Sequence, residues 1–175
     1  IDTYHRSGLY PLSLPTKLGM EASGKVIDKS SDITNFEIGD RVAYVMALGS
    51  YSTHRNIDAN KLVKIPKSIS DQQAAAVLLK GMTVEYLVER LFKVNSTHTV
   101  LFHAAAGGVG LLACQWLKHL GAKIIGTAGT EEKAALAKQN GCDEVILYKS
   151  ENFVEKVKYL TNDMGVDLVY HRILK

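Results

Sequence analysis

The stretch from Thr97 to Gly129, THTVLFHAAAGGVGLLACQWLKHLGAKIIGTAG, constrains the fold more than any other part of the chain. Thr99 to Phe102 is a short apolar, β-favouring run of the kind a buried parallel strand needs. Ala105-Ala106-Gly107-Gly108-Val109-Gly110 follows at once, a dinucleotide fingerprint with Ala in the first glycine slot. Gly107 lets the backbone approach a pyrophosphate closely, and Gly110 lets the following helix pack tightly on the strand. That helix, about Gly108 to Leu120, turns its positive end and free N–H groups toward the phosphates. Gly121 closes it as a C′ residue, and Lys123 to Thr127 is the next strand. A glycine pair alone is a weak signal. Set between a strand and a capped helix in a unit of about 30 residues, it points to nucleotide binding rather than to a bare turn.

The 175 residues suffice for one ordinary domain or two small ones. With 46% hydrophobic and 22% charged residues, the composition is that of a globular protein. The net charge of +3 is mild and the basic residues are scattered, which argues against nucleic acid as a partner. The longest uncharged run, Val100 to Leu117, contains the glycine fingerprint and does not read as a membrane span. The two cysteines, Cys114 and Cys142, lie within the fingerprint unit, Cys114 on the helix as core packing. A reducing, cytoplasmic setting is the expectation.

Upstream, a polar turn region is followed by a short strand near Gly24 to Asp28, by Ile38 to Val45 as a turn feeding a strand, and by strands at Tyr51 to Arg55 and at Lys61 to Ile65. Gly, Asp, Asn and Pro turns separate them, as in a small β-rich domain. Ser70 and Gln73 form a capping box. The helix it opens runs from Ala74 to Leu79, breaks near Gly81 and resumes from Thr83 to Leu91, with Leu87, Val88, Leu91 and Phe92 inward. Downstream, Thr130 caps a helix that Gly141 ends, Glu144 to Tyr148 is a strand, and Glu151 to Thr161 is an amphipathic helix with Phe153, Val154, Val157 and Leu160 inward. Val166 to Tyr170 is the fourth strand of an alternating strand–helix series. Such a series argues a parallel sheet in the spatial order 3-2-1-4, with a cofactor across the edge between its first and fourth strands.

An NAD-preferring unit places a carboxylate about 20 residues past the fingerprint, to bind the ribose 2′-OH. This chain has Gly126-Thr127-Ala128-Gly129-Thr130 there. Lys133, one turn into the next helix, is placed to meet a 2′-phosphate, and Tyr148 adds a hydroxyl. The competing reading makes Lys133 a solvated residue and Glu131 or Glu132 the ribose ligand, although glutamates in a first turn ordinarily complement the helix dipole.

Several segments together resemble a known family. Asp2-Thr3-Tyr4, Arg6-Ser7-Gly8-Leu9-Tyr10-Pro11, Gly19-x-Glu21-x-x-Gly24 and Gly39-Asp40-Arg41-Val42 are similar to the GroES-like domain of medium-chain dehydrogenases/reductases. Within that superfamily the likeness is to the zinc-free NADPH:quinone oxidoreductases, the zeta-crystallin-like family. It continues through Gln73-Ala74-Ala75-Ala76, Leu79-Lys80-Gly81-Met82-Thr83 and Phe102 to Gly110, and fades after about Tyr170. The resemblance implies an α/β fold: a partial GroES-like β domain over 1–81, then the first four strands of a Rossmann-type parallel sheet in a partial NADP-binding domain over 82–175.

The resemblance also implies roles for individual residues. NADP would be held by Thr83, Ala106, Gly107, Gly108, Val109, Gly110, Gly129, Thr130, Lys133 and Tyr148. Thr83 would lie beside the nicotinamide, where the residues alone equally allow a helix-start hydroxyl. Tyr4 would border the nicotinamide and hydrogen-bond a substrate carbonyl. Where the zinc alcohol dehydrogenases of the superfamily carry Gly-His-Glu, this chain has Gly19-Met20-Glu21, and no cysteine precedes Cys114. A thioether is a poor zinc ligand, so no metal is expected.

Family members continue past the matched region and form homodimers. On the family pattern this chain is expected to be truncated at both ends, without the dimer-forming segment, and its last residues, His171 to Lys175, depart from that pattern. Two functions follow. One is NADPH-dependent reduction of a quinone or conjugated enone; the other is a non-catalytic remnant that at most binds NADPH.

Overall fold

The computed structural model describes residues 1–171. The chain divides into two compact units, the first Ile1–Leu79 and the second from Lys80 onward.

The first unit is built on a three-stranded antiparallel sheet, β1 (Glu21–Lys25), β2 (Arg41–Val45) and β3 (Val63–Lys64), in that spatial order. Register is set by Glu21 opposite Val45 and Val42 opposite Lys64. Before the sheet stands a helix, α1 (Asp2–Ser7), where the sequence suggested only a turn. Its start is favoured by Asp2 in the first turn, and Gly8, at φ 76°, ends it in the left-handed conformation. Residues 51–55 do not form the expected strand. Their segment is tied to an earlier loop instead: the Tyr51 N–H donates to the Leu18 carbonyl, and the Gly49 and Ser50 N–H groups to that of Gly19. The two loops touch so closely that a Cβ on Gly19 would lie 2.6 Å from the Tyr51 ring. The first strand also begins earlier than expected, at Glu21, and residues 59–61 form a 3-10 turn ahead of β3.

The helix α2 (Asp71–Glu85) opens on the expected capping box: the Gln73 N–H donates to Ser70 Oγ and the Ser70 N–H to Gln73 Oε1. It does not break at Gly81. The irregularity comes later, as a π-helical turn over Tyr86–Leu91. A π turn closes its hydrogen bonds one residue further along than an α turn, which rotates later side chains off the stripe begun by Val84 and Val88. Those two valines are fully buried, whereas Leu91 and Phe92, expected inward, are exposed.

The second unit alternates β4 (Thr99–Phe102), α3 (Gly108–His119), β5 (Lys123–Ala128), α4 (Glu131–Gln139), β6 (Glu144–Leu147), α5 (Phe153–Leu160) and β7 (Leu168–Tyr170). All pairings are parallel and the spatial order is β6-β5-β4-β7, the expected 3-2-1-4. Both faces are covered. On one, Val100, Phe102 and Ile124 pack with Ala113, Cys114 and Leu117 of α3. On the other, Leu101, Ile125 and Ile146 pack with Val157 and Leu160 of α5. Burial on both faces is why these strands are continuous apolar runs rather than alternating ones. Only the later part of α5 reaches that core. Phe153 and Val154 are exposed in its first turn, where the Phe153 ring meets His103 edge-on at 5.3 Å beyond the end of β4.

Candidate functional site

The site lies at the carboxyl ends of β4, β5 and β6. After Phe102 the chain makes a tight turn whose strained residue is Ala104, at φ 54°, rather than a glycine. Thr127, buried on β5, holds this turn: its hydroxyl accepts from the Ala104 N–H at 3.2 Å, and its carbonyl accepts from that of Ala105. Gly107 then caps α3 in an extended conformation, with φ −78° and ψ 166°, and its N–H donates to the Ala104 carbonyl.

The three fingerprint glycines differ in what forbids a side chain. At Gly110 a Cβ would sit 2.6 Å from the carbonyl oxygens of both Ala104 and Ala105, so helix and turn backbones are in direct contact. At Gly107 the nearest atom is the Ala104 carbonyl oxygen at 3.1 Å. Gly108 is different. The space expected for phosphate is bordered by a side chain of this protein, for a Cβ there would meet Cε of Lys80 at 2.8 Å. Gly107 and Gly108 are exposed and Gly110 is buried. Ala106 and Val109 are half-buried and pack on the core around β4.

Among the four longer helices, three have side-chain caps. Ser70 serves α2, Thr130 accepts from the Lys133 N–H at the start of α4, and Asn152 accepts from the Val154 N–H at the start of α5. At α3 the cap is Gly107, with no side-chain hydrogen bond. Helix N-termini carry unpaired N–H groups and a partial positive charge. The one helix that begins at the fingerprint therefore presents its N–H groups without a side-chain oxygen.

A second cluster forms where β5 ends and α4 begins. A Cβ on Gly129 would lie 2.7 Å from Tyr148 Oη and 3.5 Å from Lys149 Cε. Thr130 and Lys133 belong to the adjoining turn of α4, so the structure brings Gly129, Thr130, Lys133 and Tyr148 together across the ends of β5 and β6. Lys133 and Tyr148 are exposed. Sequence reasoning missed Lys149 and Lys80; each is a lysine whose stem crosses a glycine of the site, a relation that only three dimensions reveal.

His103 and His171 follow β4 and β7, and their rings stack edge to face at 4.9 Å. Burial, and then the neighbouring His171, hold the His103 imidazole below its ordinary value. Its Nδ1 lies 3.2 Å from the Thr127 hydroxyl, which can donate to it when it is unprotonated. Thr83 is half-buried inside α2 rather than at a helix start. In the first unit, Tyr4 lies on α1 with its ring edge-on to Tyr10 at 5.4 Å. Met20 is buried, and the Glu21 carboxylate accepts from the Leu79 N–H at 3.0 Å. Among the described residues no group of three or more His, Cys, Asp or Glu side chains could hold a metal ion, and no helix is long and apolar enough to cross a membrane.

An antiparallel unit followed by a parallel βα unit with an open, glycine-lined helix start is an arrangement suited to holding a nucleotide. Two family models match the chain accordingly: the alcohol dehydrogenase GroES-like domain over residues 1–67 and the zinc-binding dehydrogenase model over residues 108–173. The chain belongs to the medium-chain dehydrogenase/reductase superfamily, and the relatives it resembles include several quinone oxidoreductases. It is 49% identical to the quinone oxidoreductase of Pseudomonas aeruginosa over its whole length and 54% of that protein. The structure of Escherichia coli quinone oxidoreductase complexed with NADPH superposes with a TM-score of 0.95 at 49% identity, over 99% of this chain and 54% of that one. A 2-haloacrylate reductase from Burkholderia is 43% identical over the whole chain and 55% of that protein. The chain thus spans about half the length of the curated relatives it matches.

Proposed function

We propose that this chain carries the NADPH-binding machinery of a zinc-independent reductase of quinones or conjugated enones. The observation that carries the reading is the start of α3, the one longer helix among the described residues without a side-chain cap, opening at an exposed Gly107-Gly108. A pyrophosphate is the ligand such a terminus accepts, because it supplies the acceptors and the negative charge that a cap otherwise supplies. The NADPH bound by the E. coli relative, at 49% identity, supports the same choice.

Bound NADPH would supply the hydride. The residues of this chain bind, orient and exclude water. Gly107 and Gly108 leave room for the pyrophosphate, with Ala106 and Val109 beside them, and Gly110 keeps the helix close to its strand. Lys133 and Tyr148, with Gly129 and Thr130, suit a 2′-phosphate: an ammonium and a hydroxyl at a helix start, with no carboxylate at the end of β5. Thr83 is assigned to the nicotinamide side, and Tyr4 to hydrogen bonding of a substrate carbonyl. Catalysis of this kind is chiefly positioning of the acceptor against the cofactor. Met20, in the position that carries a zinc ligand in metal-dependent members, offers a poor donor to zinc, and Glu21 is engaged by backbone. The likeness to a protein named 2-haloacrylate reductase supports enones beside quinones, because a haloacrylate is itself a conjugated alkene. A cytoplasmic setting belongs to the same reading.

Thermal melts with cofactor test it. At a hundredfold excess over its dissociation constant, NADPH should add about 2.7 kcal/mol of stability. It should bind at least about tenfold tighter than NADH, a difference of about 1.4 kcal/mol, and Lys133→Ala should remove that preference while sparing NADH. No shift at millimolar NADPH would remove the enzyme reading for this chain and leave a non-binding remnant. Equal affinities would remove only the 2′-phosphate assignment.

A further inference from the structure

Cys114 of α3 and Cys142, just past the end of α4, are 28 residues apart in sequence, yet their sulfurs lie 3.2 Å from one another. Both side chains are in the core, Cys114 fully and Cys142 at 6% exposure, and neither is among the residues assigned above to the nucleotide. The pair sits behind the fingerprint. Cys114 Sγ points to the Ala105 carbonyl at 3.9 Å, and a Cβ on Gly126 of β5 would lie 2.8 Å from Cys142 Sγ. Packing alone asks only for small apolar groups here; it does not ask for two thiols in contact. A disulfide needs sulfurs about 2.05 Å apart, so closure requires a movement of about 1 Å, shared between α3 and the turn after α4. We propose that Cys114 and Cys142 are a peroxide-responsive dithiol that closes to an intramolecular disulfide in the folded chain.

Cys142 reacts first. It is the less enclosed of the two, and a hydrogen bond from the Cys114 thiol across the 3.2 Å contact, where either sulfur can donate, favours its thiolate, while that bond and burial push the Cys114 thiol up. The thiolate attacks one oxygen of hydrogen peroxide. An S–O bond forms, the O–O bond breaks, and the departing hydroxide takes a proton to become water, leaving a sulfenic acid on Cys142. Cys114 then gives up its proton and attacks that sulfur. The S–S bond forms, the S–O bond breaks, and the oxygen leaves as a second water. The two sulfurs have lost two electrons and the peroxide has gained them. Hydrogen peroxide is the oxidant because it is small enough for a sulfur this enclosed.

The test treats the folded chain with hydrogen peroxide and reads its intact mass and free thiols under non-reducing conditions. Both thiols should disappear together, the chain should become lighter by two hydrogen atoms with no covalent link to a second chain, and digestion should yield one peptide pair joined through Cys114 and Cys142. Dithiothreitol should restore the starting mass. In Cys114→Ala the reaction should stop at Cys142 and give a sulfenic acid that a 1,3-dione reagent captures; Cys114→Ser serves the same purpose. If neither variant folds, mass and digestion of the unaltered chain decide alone. Survival of both thiols at a peroxide dose that oxidises a free thiol in the same tube would overturn the proposal. So would a bond that forms only in denaturant, or one that joins two chains.

Discussion

The two units handle burial in opposite ways. In the second, β4, β5 and β6 are covered on both faces, and Val100, Leu101, Ile124, Ile125 and Ile146 are almost wholly removed from water. Among the described residues of its sheet, only the edge strand β7 leaves a large apolar residue, Val169, outward. In the first, β2 alone carries a run of buried residues, Val42 to Tyr44, while β1 has none and Val63 of β3 is 48% exposed. There, loop-to-loop contacts fix the chain as much as the sheet does, as where Gly19 meets Ser50 and Tyr51. A parallel sheet with helices on both sides is thus specified by local runs, and the antiparallel unit by contacts between distant loops.

Truncating Leu117, fully buried on α3, should give the largest effect. Leu117→Ala is expected to cost about 2–5 kcal/mol, whereas Val63→Ala should stay within about 0.5 kcal/mol. Denaturant unfolding checks both, and Trp116, the chain's single tryptophan, reports on the second unit by its fluorescence. Comparable losses from the two variants would break the contrast between the units.

Within the fingerprint the contrast is between Gly110 and Gly108. Gly110→Ala drives a Cβ against two carbonyl oxygens that cannot step aside, and should cost about 1–3 kcal/mol. Gly108→Ala meets only the flexible stem of Lys80, so the fold should lose far less and NADPH affinity should fall instead. Equal destabilisation would mean that the Lys80 stem is held as firmly as backbone.

His103 offers a pH-dependent probe of the same turn. The groups facing it are His171, the Thr127 hydroxyl and the Phe153 ring. Burial lowers its folded pKa below the ordinary 6.5, so the unfolded chain binds the proton more readily. Its contribution is therefore fully present above 6.5, declines as the pH falls below that value, and levels off beneath the folded pKa. His103→Gln should flatten that part of the stability profile. An unchanged slope would place the titration elsewhere.

The legibility of the sequence follows the division between units. The fingerprint, the four parallel strands, the caps at Ser70 and Thr130, and the C′ glycines 121 and 141 could be read because each depends on neighbours within a few residues. The spatial order, which sets Val100 beside Leu168, followed instead from the strand–helix alternation and its crossover rule. The expected strand at Tyr51 to Arg55 failed because its backbone partners lie on the loop around Leu18 and Gly19. The inward faces of Leu91 and Phe92 failed because an α period was assumed through a π turn. Lys80 lies in one of the family-like segments, yet neither it nor Lys149 carried a signal of its place at the site; only their stems across Gly108 and Gly129 reveal that.

Ala104 gives the smallest effect and the sharpest test of how the turn is built. It holds φ 54°, a conformation that costs an L-residue about 1–2 kcal/mol, although the next residues include two glycines that could have taken it. Its side chain is exposed, so little packing is lost on removing it. The turn is fixed from outside, by Thr127 on the Ala104 N–H and by the Gly107 N–H on its carbonyl. Ala104→Gly should relieve the strain but loosen the unfolded chain, a loss of about 0.4–1 kcal/mol. The balance falls between no change and a gain of about 1.6 kcal/mol, with NADPH affinity unaltered, since the backbone the cofactor would meet stays where it is. A clear loss of stability would show that the Ala104 methyl group is packed after all. A loss of affinity at unchanged stability would show that the strained residue, and not the capping glycine, sets the geometry at the start of α3.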